Sequence, residues 1–290
     1  MPKIGFIGQG WIGKNYADNF EERGLEVVRY ALEEPYAKNK EKIADCDIVF
    51  IAVPTPTVPE GFNDSVVRTV VKLVGAGKTA VIKSTIIPGT TESVQAENPD
   101  IFVLHSPEFL TEMTAKRDTD HPFFNIIGIP IVNDEYRAKA EQVMNVLPPA
   151  PTQKICAARE AELFKYARNC FFYTKVIYMN LLFDLAKSIG ADWGALRQLL
   201  GADPWIGGMH LDPVHKSGRG AGGDCFIKDF AAFLELYRDK VGDEKGIEVL
   251  LANVEKNLEL LLSTGKDLKL LVGVYGEQIK PKSSSRVILS

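Results

Sequence analysis

A short apolar run, Lys3-Ile4-Gly5-Phe6-Ile7, passes directly into Gly8-Gln9-Gly10-Trp11-Ile12-Gly13, and a helical pattern follows as far as Arg23. A G-x-G-x-x-G hexapeptide set between a strand and a helix leaves few folds open. The first glycine permits the tight turn, the second lets a pyrophosphate come against the backbone, and the third lets helix and strand pack closely. The helix N-terminus then presents N–H groups to the phosphates. Gly8, Gln9, Gly10, Trp11, Ile12 and Gly13 are therefore candidate dinucleotide-binding residues.

The pattern downstream supports that placement. Strands are expected at 26–30, 48–53, 80–83, 102–105 and 126–129, with helices such as 65–74 and 134–146 between them. Strands alternating with helices imply an α/β fold with a doubly wound parallel sheet, which binds ligands at the carboxyl ends of its strands. Three turns fall at such ends: Val53-Pro54-Thr55-Pro56, Ser84-Thr85-Ile86-Ile87-Pro88-Gly89-Thr90-Thr91, and Ser106-Pro107-Glu108-Phe109-Leu110. Each would pass as a plain turn, but three on one edge point to a shared role. Val53, Pro54, Thr55, Ser84 and Thr85 join the cofactor-binding candidates. The second strand of such a fold usually ends in an acid that holds the adenosine ribose. That slot falls near Ala31, with Glu33 and Glu34 close enough to substitute. Arg29 could meet a 2′-phosphate, although a lone arginine there is more often simply exposed. NAD is favoured over NADP.

Bulk properties exclude several classes. The 290 residues suffice for two domains. A net charge of -4 without a dense Lys/Arg block argues against nucleic-acid binding. Cys46, Cys156, Cys170 and Cys225 form no C-x-x-C pair and no disulfide-like spacing, which suggests reduced thiols in a cytoplasm. The four histidines show no ligand spacing, so no metal site is expected. The chain opens on a strand with no signal-peptide pattern. The most apolar run, 170–183, is broken by Lys175 and too short to span a bilayer.

From Arg159 the periodicity becomes helical, to about Ser188. Lys165 and Asn169 are four apart and share a face. Apolar neighbours (Leu163, Phe164, Phe171, Phe172) would desolvate the lysine and suit it to stabilising an oxyanion or moving a proton. A surface lysine with its stem along the helix is the commoner outcome for that pattern alone. A Gly-rich loop over 203–223 precedes helices expected near 230–238 and 247–262, and 268–274 reads as an apolar strand. Within Gly222-Gly223-Asp224-Cys225-Phe226-Ile227-Lys228-Asp229, a helix beginning at the glycines would put Cys225 in its first turn, where the dipole favours a thiolate. Asp229 would follow one turn later on the same face. A Gly-rich turn with an ordinary buried cysteine fits the octapeptide equally well.

Together these pieces resemble the UDP-glucose/GDP-mannose dehydrogenase family. The resemblance rests on G-x-G-x-x-G at 8–13, VPTP at 53–56, KSTxxPGTT at 83–91, SPEFL at 106–110, AELxKYxxN at 161–169 and GGxCxxKD at 222–229, in order over nearly the whole chain. It implies a Rossmann-type NAD-binding domain over 1–155, a helical central and dimerisation domain over 156–266, and in 267–290 the opening of a truncated second Rossmann-like domain. It implies oxidation of a nucleotide sugar's primary alcohol to the carboxylate with two NAD⁺, through a thiohemiacetal and thioester on Cys225. Lys165 and Asn169 would stabilise oxyanions, Asp229 would order water or the lysine, and Thr85 and Glu108 would activate water with Glu112 nearby. Phe109, Leu110, Lys165, Asn169, Gly222 and Gly223 would contact the substrate. The family also pairs through the long helix, so a homodimer through 159–188 is expected.

The departures are specific. The family pattern has Pro at Ile227, Gly at Met113, Glu at Leu181 and Arg at Trp205, besides the acid missing near Ala31. The terminal segment (Val272 to Gly276, Ile279-Lys280-Pro281, Arg286) resembles only the opening of the second nucleotide-gripping domain. Two other readings remain open at this level: a two-electron 3-hydroxyacid-type dehydrogenase, which needs no cysteine, and a non-catalytic relative that binds a nucleotide or a partner chain.

Overall fold

A computed structural model describes residues 1–279. The chain divides into two compact units, one formed by Met1–Thr55 with Asn63–Lys165, the other by Pro56–Phe62 with the chain from Tyr166 onward. The expected boundary at 155/156 lies ten residues upstream of the division between Lys165 and Tyr166.

The first unit is built on a seven-stranded sheet. Its strands are β1 (Ile4–Ile7), β2 (Val27–Tyr30), β3 (Ile48–Ile51), β4 (Thr79–Ile82), β5 (Phe102–His105), β6 (Phe124–Ile129) and β7 (Thr152–Ala157), in the order β2-β1-β3-β4-β5-β6-β7. The order reverses at β1, which is where an open sheet of this kind leaves its ligand crevice. Helices α1 (Trp11–Glu22), α2 (Ser65–Val70), α3 (Thr90–Glu97), α4 (Ala115–Asp120) and α5 (Asp134–Val146) accompany the strands. β1 and β3 to β4 are buried throughout, as doubly covered parallel strands must be. Phe6 stacks on Phe50 at 5.1 Å between ring centres, and Phe20 of α1 meets both edge-on.

The first unit departs from expectation in three places. β5 and β6 pair antiparallel, through His105 and Gly128, so the sheet is mixed. β7 was not anticipated, because its first residues Thr152, Gln153 and Lys154 are polar and exposed, as suits an edge strand. The helix expected over 65–74 is α-helical only to Val70 and then tightens into a 3₁₀ turn.

The second unit holds α7 (Trp193–Ala202), α8 (Asp224–Lys240), α9 (Glu244–Thr264), α10 (Leu268–Tyr275) and, from Tyr166 onward, most of α6 (Ala158–Ser188). Two short hairpins, Thr57–Val58 with Gly61–Phe62 and Val214–His215 with Gly218–Arg219, complete it. Tyr173 of α6 stacks on Phe230 of α8 at 4.0 Å in its core. Asp243 caps α9 by accepting from the Lys245 and Gly246 N–H groups, at 3.2 and 2.9 Å. The apolar strand expected at 268–274 is instead helix α10. Leu271 and Val274 are buried while Lys269 and Gly273 are exposed, and this three-to-four spacing is helical. Lys280, Pro281 and Arg286, which carry part of the expected second-domain pattern, lie outside the described residues.

Candidate functional site

The glycine turn of the first unit has the shape a dinucleotide needs. Gly8 takes φ 91°, and a methyl group there would run into the Ala52 carbonyl. One at Gly13 would strike the Gly8 carbonyl, whereas Gly10 faces open space. Gly10 also begins α1 with no side chain capping the helix, so the first N–H groups are left to a ligand. Gln9 Oε1 is buried with no hydrogen-bond partner among the described residues. Beside this turn the next two strand ends are laced together. Ser84 Oγ accepts from the Val53 N–H at 2.9 Å and donates to the Val53 carbonyl at 2.7 Å. Thr55 donates to the Thr85 carbonyl at 2.6 Å. These residues fit an NAD pyrophosphate and nicotinamide cradle.

A cluster of buried charge lies at the ends of β4 and β5. Glu108 is 7 % exposed and Lys83 2 %. Lys83 Nζ lies 3.1 Å from Glu108 Oε2 and 4.2 Å from the centre of the Tyr16 ring. Glu108 Oε1 accepts from the N–H groups of Phe109 and Leu110 at 2.8 and 3.0 Å. Burial pushes this carboxyl up, but Lys83, Tyr16 and the Phe109 N–H outweigh it and hold it below its ordinary value. Lys165 is 7 % exposed and donates to the Glu108 carbonyl oxygen at 2.6 Å. It is a buried lysine, not the surface one its helical pattern alone favours. His105 donates its Nδ1–H to the Ile82 carbonyl at 2.9 Å, and burial drives its pKa down to about 3, so it stays neutral. Glu162, fully buried at the start of α6, accepts from the Gly89 and Thr91 N–H groups and the Thr91 hydroxyl at 2.6 to 2.8 Å. That explains why the PGTT and AEL motifs occur together: one carboxylate caps the N-terminus of α3.

The second unit carries the cysteine. α8 begins at Asp224 after Gly223, so Cys225 sits in its first turn, and it is exposed. The alternative of a hidden cysteine is thereby removed. Asp229, one turn on and 1 % exposed, accepts from Asn169 Nδ2 at 2.6 Å and from Lys228 Nζ at 2.5 Å. Within this unit its carboxylate orients the Asn169 amide. A cavity of about 400 Å³ opens beside Gly222 and Gly223 and is lined also by His210, Lys216, Phe226 and Lys266.

Residues 34–146 match the NAD binding domain, and residues 159–257 the central domain, of the UDP-glucose/GDP-mannose dehydrogenase family. The chain belongs to this family. It is 31% identical over 278 residues to the UDP-glucose 6-dehydrogenase YwqF of Bacillus subtilis, covering 89% of this chain and 60% of that protein. It thus spans a little over half the length of the curated relatives it matches. The structure of a UDP-glucose dehydrogenase from the archaeon Pyrobaculum islandicum superposes with a TM-score of 0.75 at 27% identity, over 89% of this chain and 68% of that one. The Mycobacterium tuberculosis 3-hydroxyisobutyrate dehydrogenase shares the fold, with a TM-score of 0.67 at 18% identity over 90% of this chain and 96% of that one. NAD is accordingly the cofactor of the first unit.

Several family positions resolve differently from expectation. Arg29 is buried, not exposed. Its guanidinium lies 2.7 Å from Asp18 and grips both oxygens of Glu21, at 2.9 and 2.7 Å. Two acids on α1 thus occupy the cation considered for a 2′-phosphate. Glu33 and Glu34 are exposed past the end of β2. Glu112 is exposed in a 3₁₀ turn, outside the buried cluster that holds Glu108. Trp205, where the family has arginine, is 94% exposed. Lys83 was passed over in the sequence as the first letter of a motif. The available signal was a lysine placed directly after the apolar run Ala80-Val81-Ile82, where its ammonium must find a buried partner.

Proposed function

We propose that the chain oxidises the primary alcohol of a nucleotide sugar of the UDP-glucose type to the carboxylate, with NAD⁺ as oxidant and Cys225 as covalent nucleophile. The observation that carries this reading is the placement of Cys225. It is an exposed thiol in the first turn of a helix, while Cys46 and Cys170 are buried and Cys156 half-buried. Bound in the glycine-turn cradle, NAD⁺ supplies a hydride acceptor for each of two oxidations. The residues supply the rest. Cys225 sulfur bonds to the aldehyde carbon produced by the first oxidation, giving a thiohemiacetal. Loss of the second hydride from that carbon, with the hydroxyl proton passing to solvent, leaves a thioester. Lys165 and the Asn169 amide, held by Asp229, stabilise the oxyanions. Glu108, with Thr85, takes a proton from the water that cleaves the thioester and releases the thiolate. Each sugar then consumes one water and gives one carboxylate.

Incubation with UDP-glucose and NAD⁺ tests the reading: two NADH per sugar consumed are expected. One NADH per substrate, with activity undiminished in Cys225→Ala, would instead identify a two-electron hydroxyacid-type enzyme. No NADH from a panel of UDP- and GDP-sugars would identify a binding protein.

A homodimer through α6 belongs to the same proposal. Phe171, Tyr178 and Leu185 are exposed at intervals of seven residues, with Leu181 between the last two. This is an apolar stripe of coiled-coil spacing on a helix that leaves it uncovered within its own unit. Sedimentation is expected to show a dimer at micromolar concentration, and Tyr178→Glu combined with Leu185→Glu to give the monomer. A wild-type monomer would remove the dimer from the proposal.

A further inference from the structure

The glycine loop that leads into Cys225 is held residue by residue from one direction. Thr264 Oγ1 accepts from the Arg219 N–H at 3.2 Å. Asn257, buried on α9, accepts from the Ala221 N–H at 2.7 Å and donates to the Ala221 carbonyl at 2.9 Å. Lys266, 4% exposed, donates to the Gly220 carbonyl at 2.9 Å and more weakly to that of Gly218 at 3.4 Å. Asp267 Oδ2 accepts from the Gly223 N–H at 2.8 Å. Gly223 is the N-cap of α8, two positions before Cys225. The clamp also explains the glycines. A methyl at Gly218 would strike Thr264, one at Gly220 would crowd Asn257, and one at Gly222 would run into Asp267 Oδ2 and the Lys266 stem.

Asn257 and Thr264 are neutral, and a backbone template needs nothing more. Lys266 and Asp267 add a positive and a negative charge at the mouth of the nucleophile's helix. Holding them there is costly. Lys266 buries its ammonium against two carbonyls, and Asp267 adopts φ 54°, in the left-handed region. His210 and Lys216, the other two non-glycine residues with positive φ among the described residues, line the same cavity.

We propose that Lys266 and Asp267 are positioning residues for Cys225, fixing the loop ahead of it and setting, with opposite signs, the charge its sulfur experiences. The role assigned to Cys225 rests on the function proposed above; the clamp itself does not. An ammonium near a sulfur favours the thiolate and a carboxylate disfavours it. The other charged groups on the N-terminal part of α8, at the cavity and on the elements packed against α8 include Asp224, Lys228 and Asp229 on α8 itself, Asp212, His215 and Lys216 at the cavity, Arg168 on α6, and Glu60 in the Thr57–Phe62 hairpin. All of them stay constant across the comparison.

The test is the pH profile of Cys225 alkylation by iodoacetamide, followed by mass spectrometry of the Cys225 peptide in the full chain. Asp267→Asn keeps an acceptor for the Gly223 N–H and drops the negative charge. Its profile is expected to move to lower pH, with alkylation at neutral pH faster by on the order of threefold. Lys266→Met removes the positive charge, and its profile is expected to move to higher pH by a similar amount. A merely structural role would move both variants the same way, by loosening the loop. Should Lys266→Met fail to fold, Lys266→Gln keeps a donor for the Gly220 carbonyl and carries the same arm. Opposite shifts of these signs support the proposal, and any other pattern overturns it. Neither NAD⁺ nor sugar is present in the assay, so a failure here is separate from a failure to form NADH.

Discussion

Cys225→Ala is expected to lower sustained turnover of UDP-glucose by on the order of a thousandfold or more, with NADH formation stopping at one per sugar. On the proposed route the first oxidation needs the cofactor and a base but no sulfur, whereas the second needs the aldehyde carbon made tetrahedral, a bond the thiol would supply. No other cysteine can stand in. Cys46 is fully buried, and burial pushes its thiol up to about 11. Cys156 is pushed up to about 11 in the same way, and Cys170, buried and close to Asp229, is raised further. The fold should not suffer, because the side chain is exposed and surface substitutions usually stay within about 0.5 kcal/mol. A thermal melt superimposable on the wild type would therefore assign the loss to chemistry. Unchanged turnover in this variant would end the covalent mechanism.

How far the sequence reaches depends on whether a feature is local. Strand β5 and helix α5 run where the periodicity puts them, because each is a clean apolar pattern bounded by turn residues. The glycine turn is legible because three backbone requirements fall within six residues. The start of α8 at Asp224 was conditional in the sequence, since Gly-Gly precedes both helices and turns. What escapes depends on partners far along the chain. Arg29 looks like a lone exposed cation until α1 brings Asp18 and Glu21 over it. Strand β7 exists because β6 offers an edge, whatever its own polar residues prefer. α10 was read as a strand because a short apolar run does not declare its period. Lys266 and Asp267 carry no signal of their own, and their meaning comes from a loop 44 to 46 positions earlier. In the first unit the same holds for Glu108. Its motif marks it as a site residue, but nothing in the motif says that a second lysine fixes its charge.

That lysine supports the other large effect. Lys83→Met is expected to destabilise the protein by about 3–5 kcal/mol at neutral pH, because it leaves the Glu108 carboxylate buried without its ammonium. The pH dependence separates this from a simple packing defect. In the wild type Glu108 is held below its ordinary value, so its contribution to stability is present above the unfolded pKa of about 4.3 and is lost as pH falls through the folded value. Without Lys83, burial dominates and the folded value rises above the unfolded one. The penalty is then full above that raised value and is relieved as falling pH protonates the buried acid. The gap between wild type and variant should accordingly narrow on acidification, as followed by urea unfolding across that range. Lys83→Met with Glu108→Gln, which removes both charges, should recover much of the loss at neutral pH. A Lys83→Met deficit that stays constant with pH, or a double variant no more stable than the single, would show that Lys83 supports the strand ends by packing alone and that Glu108 keeps its charge by other means.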